Sequence, residues 1–271
     1  MAPPAPAGGQ PITRRDALAR ATTGIAAALA TGLPSLAAAC GAEPAEPTEP
    51  ALNGRLLSRP GQPTDSVQPG LVPLGLVAAR DGFLYVPAGY RSDTPAPLAL
   101  LLHGAGGSAE QMVNAYRSRA DARGLLLLAP FSRGATWDAI HDRYGADIVF
   151  IDLALARAFA RCAVDPARVS VMGFSDGATY SLGIGRINGD LFRRVAALSP
   201  GYLLPAKALG KPKVFITHGT QDQVLPIEFA SRRIVPSLRG AGYDVEYHEF
   251  VGGHTVTAEL LTAATTWVST A

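Results

Sequence analysis

Three residues far apart in the chain, Ser175, Asp222 and His254, have the side-chain types that nucleophilic acyl chemistry requires. A serine hydroxyl is a weak nucleophile at neutral pH and needs a base to take its proton. Histidine is the natural base, and a carboxylate beside it fixes the tautomer and stabilises the imidazolium. Ser175 sits at the centre of Gly173-Phe174-Ser175-Asp176-Gly177, preceded by a β-rich run over 168–172 and followed by a small-residue helical run over 176–188. Strand, G-x-S-x-G, helix is the pattern of a nucleophile elbow, a tight turn that holds a serine strained at the tip of a sheet. Gly173 and Gly177 are expected there for steric reasons, because a side chain at either would collide where strand and helix approach.

The carboxylate and the base each have rivals. Asp222 lies in His218-Gly219-Thr220-Gln221-Asp222-Gln223-Val224, directly after an apolar run, and competes with Asp244, Glu246 and Glu249. His254 lies in Gly252-Gly253-His254-Thr255, between the last strand-like and last helical segments. His248 falls inside an alternating β-like run and His218 ends another, positions that suit structural roles better than catalysis.

Acyl transfer also needs N–H donors for the oxyanion. One expected donor is the backbone N–H of Asp176, the residue after the nucleophile. The other is expected from His103-Gly104-Ala105-Gly106-Gly107-Ser108, where glycines let the backbone approach a ligand closely. His103 reads as a hydrogen-bonding support under this loop.

The remaining elements must bring these residues to one edge. An opening hairpin is expected from 71–79 and 83–86 around the turn signal Arg80-Asp81-Gly82. Continuous apolar runs at 98–102 and 125–129 read as strands covered on both faces, separated by a helix over 108–123. A helix is expected over 147–162, strands at 194–198 and 213–217, and a helix from Pro226 to about Leu238 that Pro236 bends or shortens. A β-like run at 243–250 and a helix over 255–268 end the chain. Alternating strands and helices imply a mostly parallel sheet with right-handed crossovers and helices on both faces. Ligands bind beyond the carboxyl ends of such strands, which is where Ser175, Asp222 and His254 all fall.

The elbow, the H-G-x-x-D-x-V loop and the late G-G-H-T resemble the α/β-hydrolase superfamily, specifically its phospholipase/carboxylesterase family. More distant similarity extends to dienelactone-hydrolase-like and polyhydroxybutyrate-depolymerase-like esterases. The resemblance covers roughly residues 71–271 and includes Val164-Asp165-Pro166-Ala167-Arg168-Val169 before the elbow. It implies an α/β-hydrolase fold and the order Ser, Asp, His, with Ser175 as nucleophile, His254 as general base and acid, and Asp222 as orienting acid. It also points to the N–H of Ala105 as the second oxyanion donor, with Gly104 and Gly106 as rivals. Asp176 departs from the Gln, Asn or Ala often found after the nucleophile in these relatives. Its charge either disfavours anionic substrates or supports the start of the elbow helix, and the second reading is preferred.

The implied activity is that of a serine carboxylesterase working through an acyl-enzyme on a small-molecule ester, without metal or cofactor. Thioesterase, lysophospholipase, polyester depolymerase and peptidase chemistry are alternatives on the same scaffold. A non-catalytic binding module is the rival outside this class, although such proteins usually lose a triad member. Ser175 argues against dehalogenase and dienelactone-hydrolase chemistry, which want Asp and Cys as nucleophile. The irregular stretch 130–145, with Phe131, Trp137 and Tyr144, reads as a pocket wall or short lid, and Trp137 and Tyr202 are the candidate substrate-binding residues. No insertion is long enough for a large cap.

Length and composition fit this picture. The 271 residues are 48% hydrophobic, enough for one sizeable core, and 29 Gly with 22 Pro suit a loop-rich α/β enzyme. The formal net charge of +2 comes from the N-terminus, since beyond residue 39 the chain carries 21 basic and 21 acidic residues. That balance gives no electrostatic footprint for nucleic acid or an anionic membrane. No zinc-ligand spacing, P-loop or dinucleotide fingerprint occurs.

Residues 1–39 read as an export signal. Thr13-Arg14-Arg15-Asp16-Ala17-Leu18 resembles a twin-arginine motif and precedes an Ala/Leu/Gly/Thr stretch that ends beside Cys40. The expected location is therefore outside the bacterial cytoplasmic membrane, secreted, periplasmic or anchored by a lipid on Cys40. Ala37-Ala38-Ala39 suits either a weak lipobox or an Ala-x-Ala cut, and an uncleaved membrane anchor is the third reading, disfavoured by Gly24, Gly32 and Pro34. Residues 40–70, rich in Pro, Glu, Gly and Thr, read as a flexible linker or a segment wrapped on the domain surface. Cys162 falls on the helical line Ile148, Ile151, Leu155, Phe159 and is expected in the core.

Overall fold

The structure is a computed structural model and describes residues 49–270. The expected export signal, both readings of Cys40 and the first residues of the linker lie outside that range.

Among the described residues, eight strands form one sheet in the order β1-β2-β4-β3-β5-β6-β7-β8. They are β1 Gly70–Pro73, β2 Gly82–Val86, β3 Ala96–Leu102, β4 Leu126–Pro130, β5 Val164–Phe174, β6 Arg194–Leu198, β7 Lys213–Gly219 and β8 Val245–Phe250. The β1–β2 and β2–β4 pairs are antiparallel and every other pair is parallel. The helices are α1 Glu49–Leu52, α2 Ala109–Asp121, α3 Ala146–Arg161, α4 Asp176–Ile187, α5 Ser231–Gly240 and α6 Ala258–Ser269.

Alternation along the central strands divides the core into two layers. Leu98, Leu100 and Leu102 of β3 pack with Ile148 and Ile151 of α3, Leu182 of α4 and Ile234 of α5. Ala99 and Leu101, pointing the other way, pack with Met112 and Tyr116 of α2 and Val268 of α6. This is why β3 reads as an unbroken apolar run: water reaches neither face. Cys162 is fully buried, and burial pushes its thiol up to about 11, so it packs as a small hydrophobe.

Two expectations change. The first strand is shorter than 71–79 because the Asp81 carboxylate takes the N–H groups of Gly75 (2.7 Å) and Leu76 (3.0 Å) and folds 74–81 into a turn. The helix expected from Pro226 starts at Ser231. Residues 226–230 close a separate turn, with Phe229 N–H donating to Pro226 O at 2.9 Å. Pro236 lies inside α5 without ending it, on the exposed face. Of the two readings of 40–70, the described part, from Glu49 onward, follows the surface-wrapped one. Leu56 is buried, its N–H donates to Asn188 Oδ1 at 2.9 Å, and Arg55 and Arg59 both pair with Asp190. Those half-exposed ion pairs are worth about 1 kcal/mol or less each, so burial of Leu56 is the stronger anchor.

Candidate active site

The elbow is built by close approach of backbone. A Cβ at Gly177 would overlap the carbonyl O of Leu102 and lie 2.6 Å from that of His103. One at Gly173 would collide with the Gly177 carbonyl and lie 2.8 Å from Ala178 N. Only hydrogen at both positions lets α4 start this close to β3 and β5. We expect Gly177→Ala to lower stability by about 3 kcal/mol, near the upper end for overpacking, because the Leu102 and His103 carbonyls in its way are backbone and cannot rotate aside. Thermal unfolding should show Tm lower by roughly 10 °C, and an unchanged Tm would contradict this steric account.

Between these glycines Ser175 adopts φ 57°, ψ −121°, one of three non-glycine residues with positive φ among those described. Such a conformation costs about 1–3 kcal/mol and persists only when its surroundings over-determine it. Here Ser175 N–H donates to Leu198 O at 2.9 Å, tying the turn to β6, and the Ser175 carbonyl accepts from Ala178 and Thr179 at 3.0 Å. The hydroxyl is held beyond the end of β5, with only 9% of the residue exposed.

The other two residues meet it there. Ser175 Oγ lies 2.8 Å from His254 Nε2, and His254 Nδ1 lies 2.6 Å from Asp222 Oδ2. A carboxylate only accepts, so Nδ1 carries the proton and Nε2 is free to accept from the serine. Asp222 Oδ1 is filled by the N–H groups of Val224 (2.9 Å) and Leu225 (2.8 Å). Burial opposes the charge on Asp222, but the hydrogen bonds from His254 and these two N–H groups outweigh it and hold the carboxyl below its ordinary range. The His254 ring lies against Phe174, centroids 4.8 Å apart and the planes tilted by 37°, which restricts rotation of the imidazole.

The rivals go elsewhere. His248 pairs with Glu246 at the surface at 2.8 Å, and Glu249 pairs with Arg232. His218 is buried beside Asp222, with Nε2 2.8 Å from Leu225 O and 3.3 Å from Asp222 Oδ2.

The loop after β3 faces the same point. A side chain on Gly104 would come within 3.2 Å of Ser175 Cβ. Gly106 N–H is committed to Ala135 O at 2.8 Å and Gly107 N–H to Gly104 O at 3.0 Å, which removes Gly106 as an oxyanion donor. Asp176 begins α4, so its N–H has no acceptor one turn earlier. His103 supports the loop from below: Nδ1–H donates to Gly104 O (2.7 Å) and Nε2 accepts from Ser132 N–H (3.1 Å). Burial lowers its pKa and keeps that imidazole neutral.

Trp137 is not available to a substrate in this structure. It is 0% exposed, its indole N–H donates to His103 O at 2.8 Å, and its ring lies between His103 and Tyr180. Its large apolar area is spent holding 130–145 onto the domain. The same stretch is fixed by an acidic pair, Asp147 buried and Asp138 partly so: Asp147 accepts from Arg133 N–H (2.5 Å) and Asp138 N–H (2.7 Å), and Asp138 accepts from Tyr180 OH (2.9 Å). The segment is therefore a bolted wall. Tyr202, in contrast, is 44% exposed and donates its hydroxyl to Ile140 O at 2.9 Å, bridging the loop after β6 to this wall. Thr136, which the sequence did not single out, donates to Asp176 Oδ2 at 2.6 Å. Its signal would have been a hydroxyl opposite the elbow, visible only once the loop is folded.

Burial, and then the charge of Asp138, raise Asp147 to about 6. A raised carboxyl binds its proton more tightly folded than unfolded, so it stabilises below about pH 4 and loses that contribution as pH rises toward 6. Urea unfolding across this window should show the wild type losing stability with pH relative to Asp147→Asn. Parallel curves for the two would exclude Asp147 as the titrating group.

Residues 147–271 match the family model described as phospholipase/carboxylesterase. The chain is 29% identical over 157 residues to a probable feruloyl esterase C of Aspergillus oryzae, covering 55% of this chain and 57% of that protein. It is likewise 29% identical over 160 residues to feruloyl esterase C of Emericella nidulans, covering 56% of this chain and 58% of the relative. The chain thus spans a little over half the length of the curated relatives it matches. The crystal structure of esterase PE8 superposes with a TM-score of 0.57 at 22% identity, over 75% of this chain and 98% of the other. This chain has the α/β-hydrolase fold. Its two antiparallel opening pairs, parallel remainder and helices on both faces are those of an α/β-hydrolase, as the sequence implies. The C-terminal stretch that matches the family model begins within α3 and includes the elbow, the Asp222 loop and His254.

Proposed function

We propose that this α/β-hydrolase is a serine carboxylesterase that cleaves esters through an acyl-enzyme. The observation that carries the reading is the continuous pair of contacts from Ser175 Oγ to His254 Nε2 (2.8 Å) and from His254 Nδ1 to Asp222 Oδ2 (2.6 Å). Ser175 Oγ attacks the ester carbonyl carbon while its proton passes to His254 Nε2. The negative charge that develops on the carbonyl oxygen is met by the backbone N–H groups of Asp176 and Ala105. His254 then gives the proton to the leaving alkoxide, the C–O bond breaks and the alcohol departs. Water repeats the sequence on the acyl-enzyme: His254 takes its proton, the hydroxide adds, and Ser175 regains its hydrogen as the acid leaves.

The exposed ring of Tyr202 and the Phe174 ring beside His254 offer aromatic surface for the acyl or alcohol group. The matched relatives named as feruloyl esterases make hydroxycinnamoyl esters worth including beside simple ones. The test is hydrolysis of p-nitrophenyl acetate, p-nitrophenyl butyrate and methyl ferulate by wild type and Ser175→Ala. Turnover of at least one ester by the wild type alone is the expected result. Equal turnover by the two proteins would defeat the reading.

A further inference from the structure

We infer that His218 is a positioning residue for the acid of the triad, and that Ser231 in turn fixes His218. The inference rests on the esterase reading and extends it by two residues. His218 is fully buried at the end of β7, four residues before Asp222. Its Nε2 lies 2.8 Å from Leu225 O and its Nδ1 lies 2.7 Å from Ser231 Oγ, at the first position of α5. A carbonyl can only accept, so Nε2 carries the hydrogen and Nδ1 accepts from the Ser231 hydroxyl. Leu225, whose carbonyl His218 holds, gives its own N–H to Asp222 Oδ1 at 2.8 Å. One residue is thus gripped from both ends, by His218 at its carbonyl and by Asp222 at its amide.

The result is an uninterrupted series from α5 to the nucleophile: Ser231, His218, Leu225, Asp222, His254, Ser175. His218 Nε2 also lies 3.3 Å from Asp222 Oδ2, so the oxygen that receives His254 has a second imidazole edge against it. The charged and titratable groups facing His218 are Asp222, His254 and, from β8, Glu249. Burial lowers the pKa of His218 and outweighs the raising effects of the Leu225 hydrogen bond and the Asp222 charge, so it acts as a neutral donor. A charged His218 would compete with His254 for Asp222. A neutral one orients the carboxylate without discharging it.

An apolar residue at position 218 frees the Leu225 carbonyl and loosens the Asp222 loop. An amide there can still donate to it. The test compares wild type, His218→Leu, His218→Gln, Ser231→Ala and Ser175→Ala on p-nitrophenyl butyrate, with active sites counted by a fluorophosphonate. Per active site, His218→Leu is expected to lose about 10- to 100-fold in kcat with KM within about twofold. The acid limb of its kcat/KM profile, which reports protonation of the base, should move to lower pH as the carboxylate loses its alignment. His218→Gln should recover most of the rate, and Ser231→Ala should move the limb the same way with a smaller loss. If His218→Leu folds poorly, Ser231→Ala still decides the matter. Variants with lower Tm but unchanged kcat per active site and an unmoved acid limb would overturn the inference and leave the esterase reading intact. A wild type without Ser175-dependent turnover would overturn both.

Discussion

Ser175→Ala is expected to lower kcat on p-nitrophenyl butyrate by about 10⁴- to 10⁶-fold with little change in KM. The size follows from what the residue does in the proposed mechanism. Removing the hydroxyl removes the covalent route, and what remains is attack by water on a substrate held near the oxyanion donors. The fold should survive or gain slightly, because the substitution leaves the tight backbone contacts at Gly173 and Gly177 untouched. Alanine cannot accept φ 57° without strain either, so most of the stored cost stays. Kinetics combined with thermal unfolding checks this, and a loss smaller than about 100-fold would mean that another nucleophile carries the reaction.

Asp222→Asn has the second largest expected effect, about 10⁴-fold in kcat at neutral pH. The backbone explains why. The N–H groups of Val224 and Leu225 both point at Oδ1, so an asparagine must put its carbonyl oxygen there. Its NH₂ then faces His254 Nδ1, 2.6 Å away in the wild type, and donates where the carboxylate accepted. Nδ1 must give up its hydrogen, Nε2 gains it, and the base can no longer take the proton of Ser175. Melting should change far less than rate, because the variant keeps both loop hydrogen bonds. A fall of less than about tenfold at pH 7 would show that the tautomer is fixed by something other than residue 222.

The site was legible to the extent that its residues sit on strand ends. Ser175, Asp222 and His254 each follow an apolar or alternating run, and a parallel sheet must present the carboxyl ends of its strands along one edge. Strand 194–198 could be read to the residue, and β3 nearly so, because apolar runs covered on both faces have no polar alternation to blur them. The turn chemistry was harder. Nothing local says that Asp81 will turn back and capture the N–H groups of residues 75–77, or that α5 waits until Ser231.

Aromatics in loops were the least legible. Trp137 and Tyr202 look alike in sequence, each a large ring in an irregular segment near the site. One is fully buried under the His103 loop and the other is 44% exposed across the site wall. The difference depends on Tyr180, Asp138 and Asp147 assembling a polar floor from three separate elements, which no short window contains. His218 illustrates the same limit. As a histidine ending a strand it competes with His254 on paper, and only its distances to Leu225 and Ser231 separate support from chemistry.

The most direct test of the central claim is to label the wild-type protein with a fluorophosphonate and map the adduct by peptide mass spectrometry. An activated serine in contact with His254 should take up about one equivalent, on Ser175, and Asp222→Asn should label far more slowly. Failure of the native protein to label, or an adduct on a residue other than Ser175, would contradict the account.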